Sequence, residues 1–498
     1  MATGIAGLPA LEMRTSVEKG RSIHAATPHG LPAGTTLFTE IPFASVVVSS
    51  TAKLCAVCYA DADPDMCCDD CSSVVYCSEI CQSVLRDVHE LECSTLEEID
   101  VIAKKSRADR NLLCLLTRIL CVRAMKQSRN ATDVSSCPPS TISSTYADVV
   151  DMIHATGQLN ETWITAVQAG AELLIKSLPR ECTLPVADVV GLAARVNENS
   201  YSLEANTVEP HGEVAAVGLF PVAGLINHSC QPNCIWSTDA VRGAMVVRTT
   251  TYIAPGDEIT IPYIDVNQPR EARRRQLKQS KHFDCRCERC EMPLVEPALD
   301  ALVDGVCCRT CQDTLLVGTS SSGYTCPSCG QATTQQDIDA AKLYATSTIT
   351  SATAMMNKKN FKDALTVLGK FCDAQSVASS SQVVLHSSHW TVTTALRLLS
   401  DCSYKVGAFI ACYEHRLAHV TRLCAILQPN ALALGTAYFE LADAVAIGLT
   451  HRVWPLEEEL KKREELRAHL TKCRDIRKII YAINHPRLVQ VEARLSRL

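Results

Sequence analysis

The residues best suited to chemistry in this chain come as spaced pairs of metal-ligating side chains. Cys55-x2-Cys58, Cys68-x2-Cys71, Cys77-x3-Cys81 and His89-x3-Cys93 place eight such side chains within residues 55–93. Two tetrahedral zinc ions need that number, and a site closed by four protein ligands is structural, with no open position for catalysis. The i, i+4 pairs Cys77 with Cys81 and His89 with Cys93 can each share one face of a helical turn. A segment this poor in apolar residues needs its ions in order to fold, and zinc contributes roughly 10 to 16 kcal/mol of apparent binding energy to such modules. Cys67 reads as a spare neighbour of Cys68. Further on, Cys285-x-Cys287-x2-Cys290 supplies three thiolates, one short of a closed site. Cys230 is the obvious fourth, the alternative being a merely buried thiol. Cys308-x2-Cys311 and Cys326-x2-Cys329, separated by the Gly318–Gly323 loop, have zinc-ribbon spacing, and Cys307 could substitute for Cys308. Four zinc ions per chain follow from these pairs.

A second kind of chemistry lies between the clusters. An apolar run from Gly218 enters the turn Asn227-His228-Ser229-Cys230, which Pro232 keeps from continuing as a helix. Polar groups are thereby crowded onto irregular backbone. A further turn at Pro255-Gly256-Asp257 leads into Ile259 and Ile261, which alternate before Tyr263, so the tyrosine closes a short half-buried strand.

Asn-His-Ser-Cys with Pro-Asn-Cys, followed by Pro-Gly-Asp-Glu-Ile-Thr-Ile-Pro-Tyr263, resembles the core of a SET domain, the fold of most protein lysine methyltransferases. With the cysteine pairs and Tyr76, the likeness narrows to the SET-and-MYND (SMYD) family, over about two thirds of the chain. The resemblance implies an S-adenosylmethionine-dependent protein-lysine N-methyltransferase acting on a histone or non-histone protein. It implies that the MYND pairs interleave, Cys55, Cys58, Cys77 and Cys81 on one zinc and Cys68, Cys71, His89 and Cys93 on the other. Cys230, Cys285, Cys287 and Cys290 become the post-SET zinc, and Cys308, Cys311, Cys326 and Cys329 a further one found in only some relatives. Tyr263 becomes the catalytic residue and Tyr201 a wall of the lysine channel. Lys19, Gly20, Arg21, Asn199, Asn227, His228, Tyr263 and Phe283 become the cofactor-binding set, with Lys19, Arg21 and Asn199 at its amino-acid end and Phe283 against its adenine. Taken alone, the Lys19–Ser22 turn is an ordinary hairpin and Asn199 an ordinary helix-terminal asparagine. Two departures stand out: Ser22 where the family usually has a glycine, and Lys281 where many relatives carry a second tyrosine.

The elements that must position these residues follow from pattern. Residues 11–54 read as short strands and turns, the first part of a split SET domain. Residues 55–93 are the zinc finger. Residues 94–198 are a helical insertion, with apolar stripes at Leu112, Leu115, Leu116, Ile119 and Leu120 and at Val189, Val190, Ala193 and Val196. Ser135–Thr145 reads as a loop. The SET core covers 199–265 and the post-SET segment 266–291, where Arg270–Arg275 predicts a solvated basic helix. A zinc-ribbon-like segment spans 305–332, and 340–498 is helical and tetratricopeptide-like, without a clean 34-residue period. The fold class expected is α+β multidomain.

Composition sets limits on the rest. With 498 residues and 47% hydrophobic content the chain can build two to four domains. A net charge of −6 gives no drive toward nucleic acid or an acidic membrane, so proteins are the expected partners, with a proline-rich peptide at the MYND finger among them. Twenty-seven cysteines, mostly in metal spacings, suit a reducing compartment, cytoplasmic or nuclear, and not a disulfide framework. Glu12, Arg14, Glu18 and Lys19 leave no signal-peptide run, and Glu440 and Asp443 make the apolar stretch Ala431–Thr450 costly as a membrane span. Ser496-Arg497-Leu498 is a weak peroxisomal alternative. Rival readings are a catalytically weak scaffold that recruits partners through finger and tail, and, less well supported by the acidic balance, a DNA-directed regulator.

Overall fold

A computed structural model describes the chain except residues 1–2, 6, 50–52, 130–140, 155–158, 208–213, 240, 293–297, 312–313, 317–323 and 377–382. Strands β1 (Thr3–Ile5), β2 (Leu8–Ser16) and β3 (Gly20–Ala25) form one antiparallel sheet, so strand structure begins before residue 11. Gly20, at φ +68°, makes the turn that aligns β2 with β3. Strands β4 (Thr36–Ile41) and β5 (Ala44–Val47) pass on to two further sheets.

The helical layer begins inside the zinc finger. Helix α1 (Glu79–Ser106) runs unbroken through His89 and Cys93. Its N-cap is Ser78, whose hydroxyl accepts from the Cys81 N–H at 3.3 Å. Cys77 therefore precedes the helix, and the expectation that Cys77 and Cys81 share a helical turn is corrected; His89 and Cys93 do share one. Helix α2 (Arg110–Arg129) buries Leu115, Leu116, Ile119 and Leu120. Part of the expected Ser135–Thr145 loop lies outside the described residues, but Thr141–Ser143 is strand β6, paired parallel with β4. Helices α3 (Tyr146–Val150), α4 (Glu161–Ser177) and α5 (Val186–Asn199) complete this layer, α5 burying Val189, Ala193 and Val196.

The chain returns to the sheets with β7 (Ser200–Leu203) and β8 (Ala216–Leu219), which extend β5, then β9 (Asn227–His228), β10 (Cys234–Thr238), β11 (Met245–Thr249) and β12 (Thr260–Ile261). The decisive pairing is β9 with β12, parallel, with Asn227 opposite Thr260 and His228 opposite Ile261. Two segments thirty residues apart are thus laid side by side over a core of Phe38, Phe220, Ile226, Val247, Ile259 and Ile261.

Helix α6 (Arg270–Lys281) is not the solvated helix its arginines predict. Arg273 is fully buried against Asp300, which opens the short helix α8 (Leu299–Val303) beyond α7 (Glu288–Glu291). The ribbon carries β13 (Val306–Cys307), β14 (Tyr324–Thr325) and β15 (Ala332–Thr333); the Gly318–Gly323 loop lies outside the described residues.

The remainder is helical: α9 (Gln335–Asn357), α10 (Phe361–Ser376), α11 (Trp390–Lys405), α12 (Phe409–Ile426), α13 (Leu432–Thr450), α14 (Glu459–Ile480) and α15 (Pro486–Ser496). Val384–Leu385 interrupts it as a strand against β13. By length and composition α13 could cross a bilayer, but it packs against α12 and α14, with Glu440 paired to Arg416 and Asp443 to Arg494. Arg248 Nη1 donates to Tyr481 O at 2.7 Å and Asn430 Nδ2 to Thr250 O at 2.7 Å, which fastens the helices to the β10–β11 edge.

Candidate active site

The turn that delivers Asn227 is braced from two sides. Below it, the Glu40 carboxylate accepts from the N–H of Val222 (3.0 Å) and Ala223 (2.7 Å) and from the Ser144 hydroxyl (2.6 Å), capping the one-turn 3-10 helix Ala223–Leu225. Glu40 is wholly buried, and that burial pushes its pKa up to about 7. Above it, the Tyr201 hydroxyl donates to Ala223 O at 3.0 Å and the Tyr263 hydroxyl to Ile226 O at 2.6 Å. Burial holds both phenols far above their ordinary pKa, so both stay protonated. Glu40 was invisible to sequence reasoning because its partners lie about a hundred residues or more away in the chain.

In front of this turn opens a cleft of about 670 Å³, lined among others by Lys19, Arg21, Asn199, Tyr201, Asn227, Tyr263 and Phe283. Seven of the nine residues singled out for cofactor or channel thus share one wall. Gly20 and His228 do not line it. The His228 imidazole turns away, accepting the Tyr263 N–H on Nδ1 (3.0 Å) and presenting Nε2 to the Cys230 sulfur (3.3 Å). Asn227 Nδ2 donates to Arg21 O (3.1 Å) and to Glu258 (2.9 Å), and Glu258 also takes Lys19 Nζ at 2.6 Å. Arg21 pairs with Asp151, and Asn199 Nδ2 donates to Ile153 O and Arg195 O, each at 2.8 Å. The basic groups of the Lys19–Arg21 turn are therefore engaged with acids. Trp236, whose indole meets the Tyr201 ring edge-on at 5.5 Å, lines this wall without having been singled out in the sequence, and Glu258 and Asp151 support the wall from outside it.

Fifteen cysteines and His89 gather as four groups of four: Cys55, Cys58, Cys77 and Cys81; Cys68, Cys71, His89 and Cys93; Cys230, Cys285, Cys287 and Cys290; Cys308, Cys311, Cys326 and Cys329. Measured separations are 3.5 Å for Cys58–Cys77, 3.6 Å for Cys77–Cys81, 3.7 Å for Cys68–Cys93, 3.5 Å for Cys230–Cys290 and 3.6 Å for Cys308–Cys329. A zinc tetrahedron with Zn–S near 2.3 Å has edges of about 3.8 Å, so these donor sets fit zinc; a disulfide needs roughly 2 Å. Cys67 stays out of every group, and so does Cys307, whose strand pairs with Val384–Leu385. His89 Nδ1 faces Glu92 at 3.3 Å, and Glu92 is held by Arg118 at 2.5 Å, which also donates to Ser45 O at 3.1 Å. That chain of contacts fixes the finger's histidine and ties it to β5.

Comparison with known proteins agrees with this geometry. A family model described as SET domain matches residues 33–264. The chain is 28% identical over 283 residues to a rat protein named N-lysine methyltransferase SMYD2, covering 56% of this chain and 60% of the relative. It is 27% identical over 283 residues to the mouse histone-lysine N-methyltransferase SMYD3, covering 56% and 61%. The Arabidopsis thaliana histone-lysine N-methyltransferase ASHR1 is 24% identical over 333 residues, covering 66% and 63%. Through residues 33–264 the chain is similar to a SET domain, and the relatives it resembles are lysine methyltransferases of the SET-and-MYND kind. It spans about 60% of the length of the first curated relatives it matches.

The Cys230, Cys285, Cys287 and Cys290 cluster and the cleft are joined through shared segments. Cys230 sits two residues past His228, its N–H donates to the Cys287 sulfur at 3.4 Å, and Phe283, two residues before Cys285, enters the cleft wall. Arg289 Nη1 donates to Cys230 O at 3.0 Å and to Val266 O at 2.9 Å. Arg270, Arg273 and Arg289 converge on the buried Asp300 carboxylate at 2.7 to 3.0 Å. Burial alone would raise the pKa of Asp300, but Arg273 and Arg289 hold it below the usual carboxylate range.

Proposed function

We propose that this chain is an S-adenosylmethionine-dependent protein-lysine N-methyltransferase that modifies a lysine of a histone or non-histone protein. The observation that carries the reading is the convergence of Asn199, Asn227, Tyr201, Tyr263 and Phe283 on one cleft whose volume, about 670 Å³, lies in the usual range for small-molecule sites. When bound, S-adenosylmethionine supplies a methyl group activated by its sulfonium. Lys19, Arg21 and Asn199 would hold the cofactor's amino-acid end, Asn227 would bind through its side-chain amide and residue 228 through its backbone, and Phe283 would face the adenine. Tyr263, its proton committed to Ile226 O, has oxygen lone pairs left to orient an incoming amine. The rings of Tyr201, Trp236 and Tyr263 exclude water from the acceptor, tolerate a cation and favour the neutral, nucleophilic amine. Positioning two reactants in this way supplies much of the rate.

The Lys19–Glu258 and Arg21–Asp151 pairs favour the second reading, a catalytically weak scaffold, because they occupy basic groups the cofactor would use. Titration calorimetry with S-adenosylmethionine separates the two: one cofactor bound per chain supports the enzyme, and absence of heat supports the scaffold.

Finer features belong to the same proposal. The successive packing of α11 on α12, α12 on α13 and α13 on α14 supports a tetratricopeptide-like stack. Ile80 and Val84, exposed on the finger's helix, support a docking place there for a proline-rich peptide. Thiol clusters without disulfides support a reducing compartment, cytoplasm or nucleus.

A further inference from the structure

Lys281 ends α6 and reaches into the cleft. Its Nζ donates to the Glu198 carbonyl oxygen at 2.6 Å and stands 5.7 Å from the centroid of the Tyr263 ring. Glu198 lies in the last turn of α5, where backbone carbonyls lack helical partners and attract a cation. The ammonium is therefore held in place, joining α6 to α5 across the cleft. Among the described residues no carboxylate lies within ion-pair distance of it. The other charged groups around it largely offset one another: on the β3 side Lys19 pairs with Glu258, the residue before the β12 approach, and Arg21 pairs with Asp151 after α3. Glu198 on α5 gives its carbonyl oxygen to the amine and its carboxylate charge acts on it through space, Asp265 after β12 is exposed and accepts from Asn267 N–H, and the Tyr201 and Tyr263 phenols are neutral. Burial draws the Lys281 pKa below the ordinary lysine value, and the nearby Glu198 charge only partly offsets it.

We infer that Lys281 is a specificity-determining residue, a resident cation in the channel wall that admits the acceptor lysine as a neutral amine and works against accumulation of permanently charged product. The inference rests on reading the cleft as a lysine methylation site. In that reaction a C–S bond breaks as a C–N bond forms, the positive charge passes from sulfur to the acceptor nitrogen, and the nitrogen releases a proton to solvent. After one or two methylations that release restores a neutral amine. After the third there is no proton left to lose, and the product stays cationic beside Lys281. Lys281 Nζ lies 5.7 Å from the Tyr263 ring centroid, so an acceptor held against that ring would feel the charge at roughly 6 to 10 Å, which at an effective dielectric of roughly 20 to 40 lowers its apparent pKa by roughly half a unit to 2 units. The same charge slows the transfer itself, because positive charge builds on the nitrogen beside it.

The test uses the full zinc-loaded chain, core histones and a whole-cell extract as acceptors, and methyl-labelled S-adenosylmethionine. Wild type is compared with Lys281→Met, which removes the charge and keeps the length, and with Lys281→Arg, which keeps the charge. Zinc content and cofactor binding check that each variant is folded, and Lys281→Gln replaces Lys281→Met if that variant is not. Expected for Lys281→Met is a rise of about one pH unit in the midpoint of the rate profile, with a several-fold larger share of trimethyllysine by mass spectrometry. Lys281→Arg should match wild type in both. If Lys281→Met transfers methyl with unchanged midpoint and unchanged methylation states, the inference is overturned and the enzyme reading stands. If wild type binds no cofactor and labels no protein, the enzyme reading is overturned and the inference goes with it.

Discussion

The Tyr263 backbone N–H donates to His228 Nδ1 at 3.0 Å, while Nε2 of the same ring lies 3.3 Å from the Cys230 sulfur. Burial pushes the His228 pKa down to about 4, so the ring is neutral, and with Nδ1 accepting, its proton sits on Nε2 and points at the thiolate. One imidazole thus couples Tyr263 to Cys230, a member of the Cys230, Cys285, Cys287 and Cys290 donor group. His228→Ala should retain the four cysteines of that group but lose both hydrogen bonds. The expected cost is roughly 1 to 3 kcal/mol of stability, with weakened turnover and intact zinc content, measured by denaturation, methyl transfer and elemental analysis. Turnover indistinguishable from wild type would remove the imidazole from the positioning of Tyr263.

Four zinc ions per chain are expected from the four donor sets. Elemental analysis of the purified chain checks the number, and two or fewer contradicts it. Stripping the metal with a chelator should unfold residues 55–93 and lower cofactor affinity together, because the post-SET group frames the cleft that Phe283 closes.

Asp300 is the single anion among Arg270, Arg273 and Arg289. Asp300→Ala leaves these arginines buried without their counter-charge, a change expected to cost on the order of 3 to 5 kcal/mol. Chemical denaturation measures it. Loss of under 1 kcal/mol would mean that the arginines find water or other partners.

Glu40 gives a pH signature of definite sign. Its pKa rises from 4.5 to about 7 on folding, so the folded state binds the proton more tightly. Its contribution to stability is full below the unfolded pKa and is lost as pH rises through about 7, by an amount on the order of 3 kcal/mol. Depressed carboxylates such as Asp300 act in the opposite direction. The difference in stability between wild type and Glu40→Gln, followed from pH 4.5 to 7, isolates the term: it should shrink as pH rises. A constant difference would show that Glu40 is ionised throughout.

How much of this was legible depends on the range of each interaction. The metal groups were readable because paired ligands two to four residues apart carry their geometry in local spacing, and Asn227 and Tyr263 because their turn and strand have distinctive neighbours. Cys77 escaped correct placement because the helix start is set by the Ser78 hydroxyl, a one-residue detail that spacing does not encode. Arg273 looked like a surface residue because its helix is basic all round; only Asp300, twenty-seven residues on and in a different helix, turns it inward. Glu40 is a lone acid in an ordinary strand sequence and Glu258 an unremarked member of the Pro255–Glu258 turn, and their partners come from segments brought close by the β9–β12 pairing and the sheets.

The most direct measurement is to incubate the full chain, and its Tyr263→Phe variant, with methyl-deuterated S-adenosylmethionine and a cell extract, and to locate the label by mass spectrometry. Label on lysine side-chain nitrogens of extract proteins, reduced roughly 100-fold in the variant while cofactor binding persists, is the expected result. No labelled lysine, or equal labelling by both forms, would contradict the assignment of this cleft to lysine methylation.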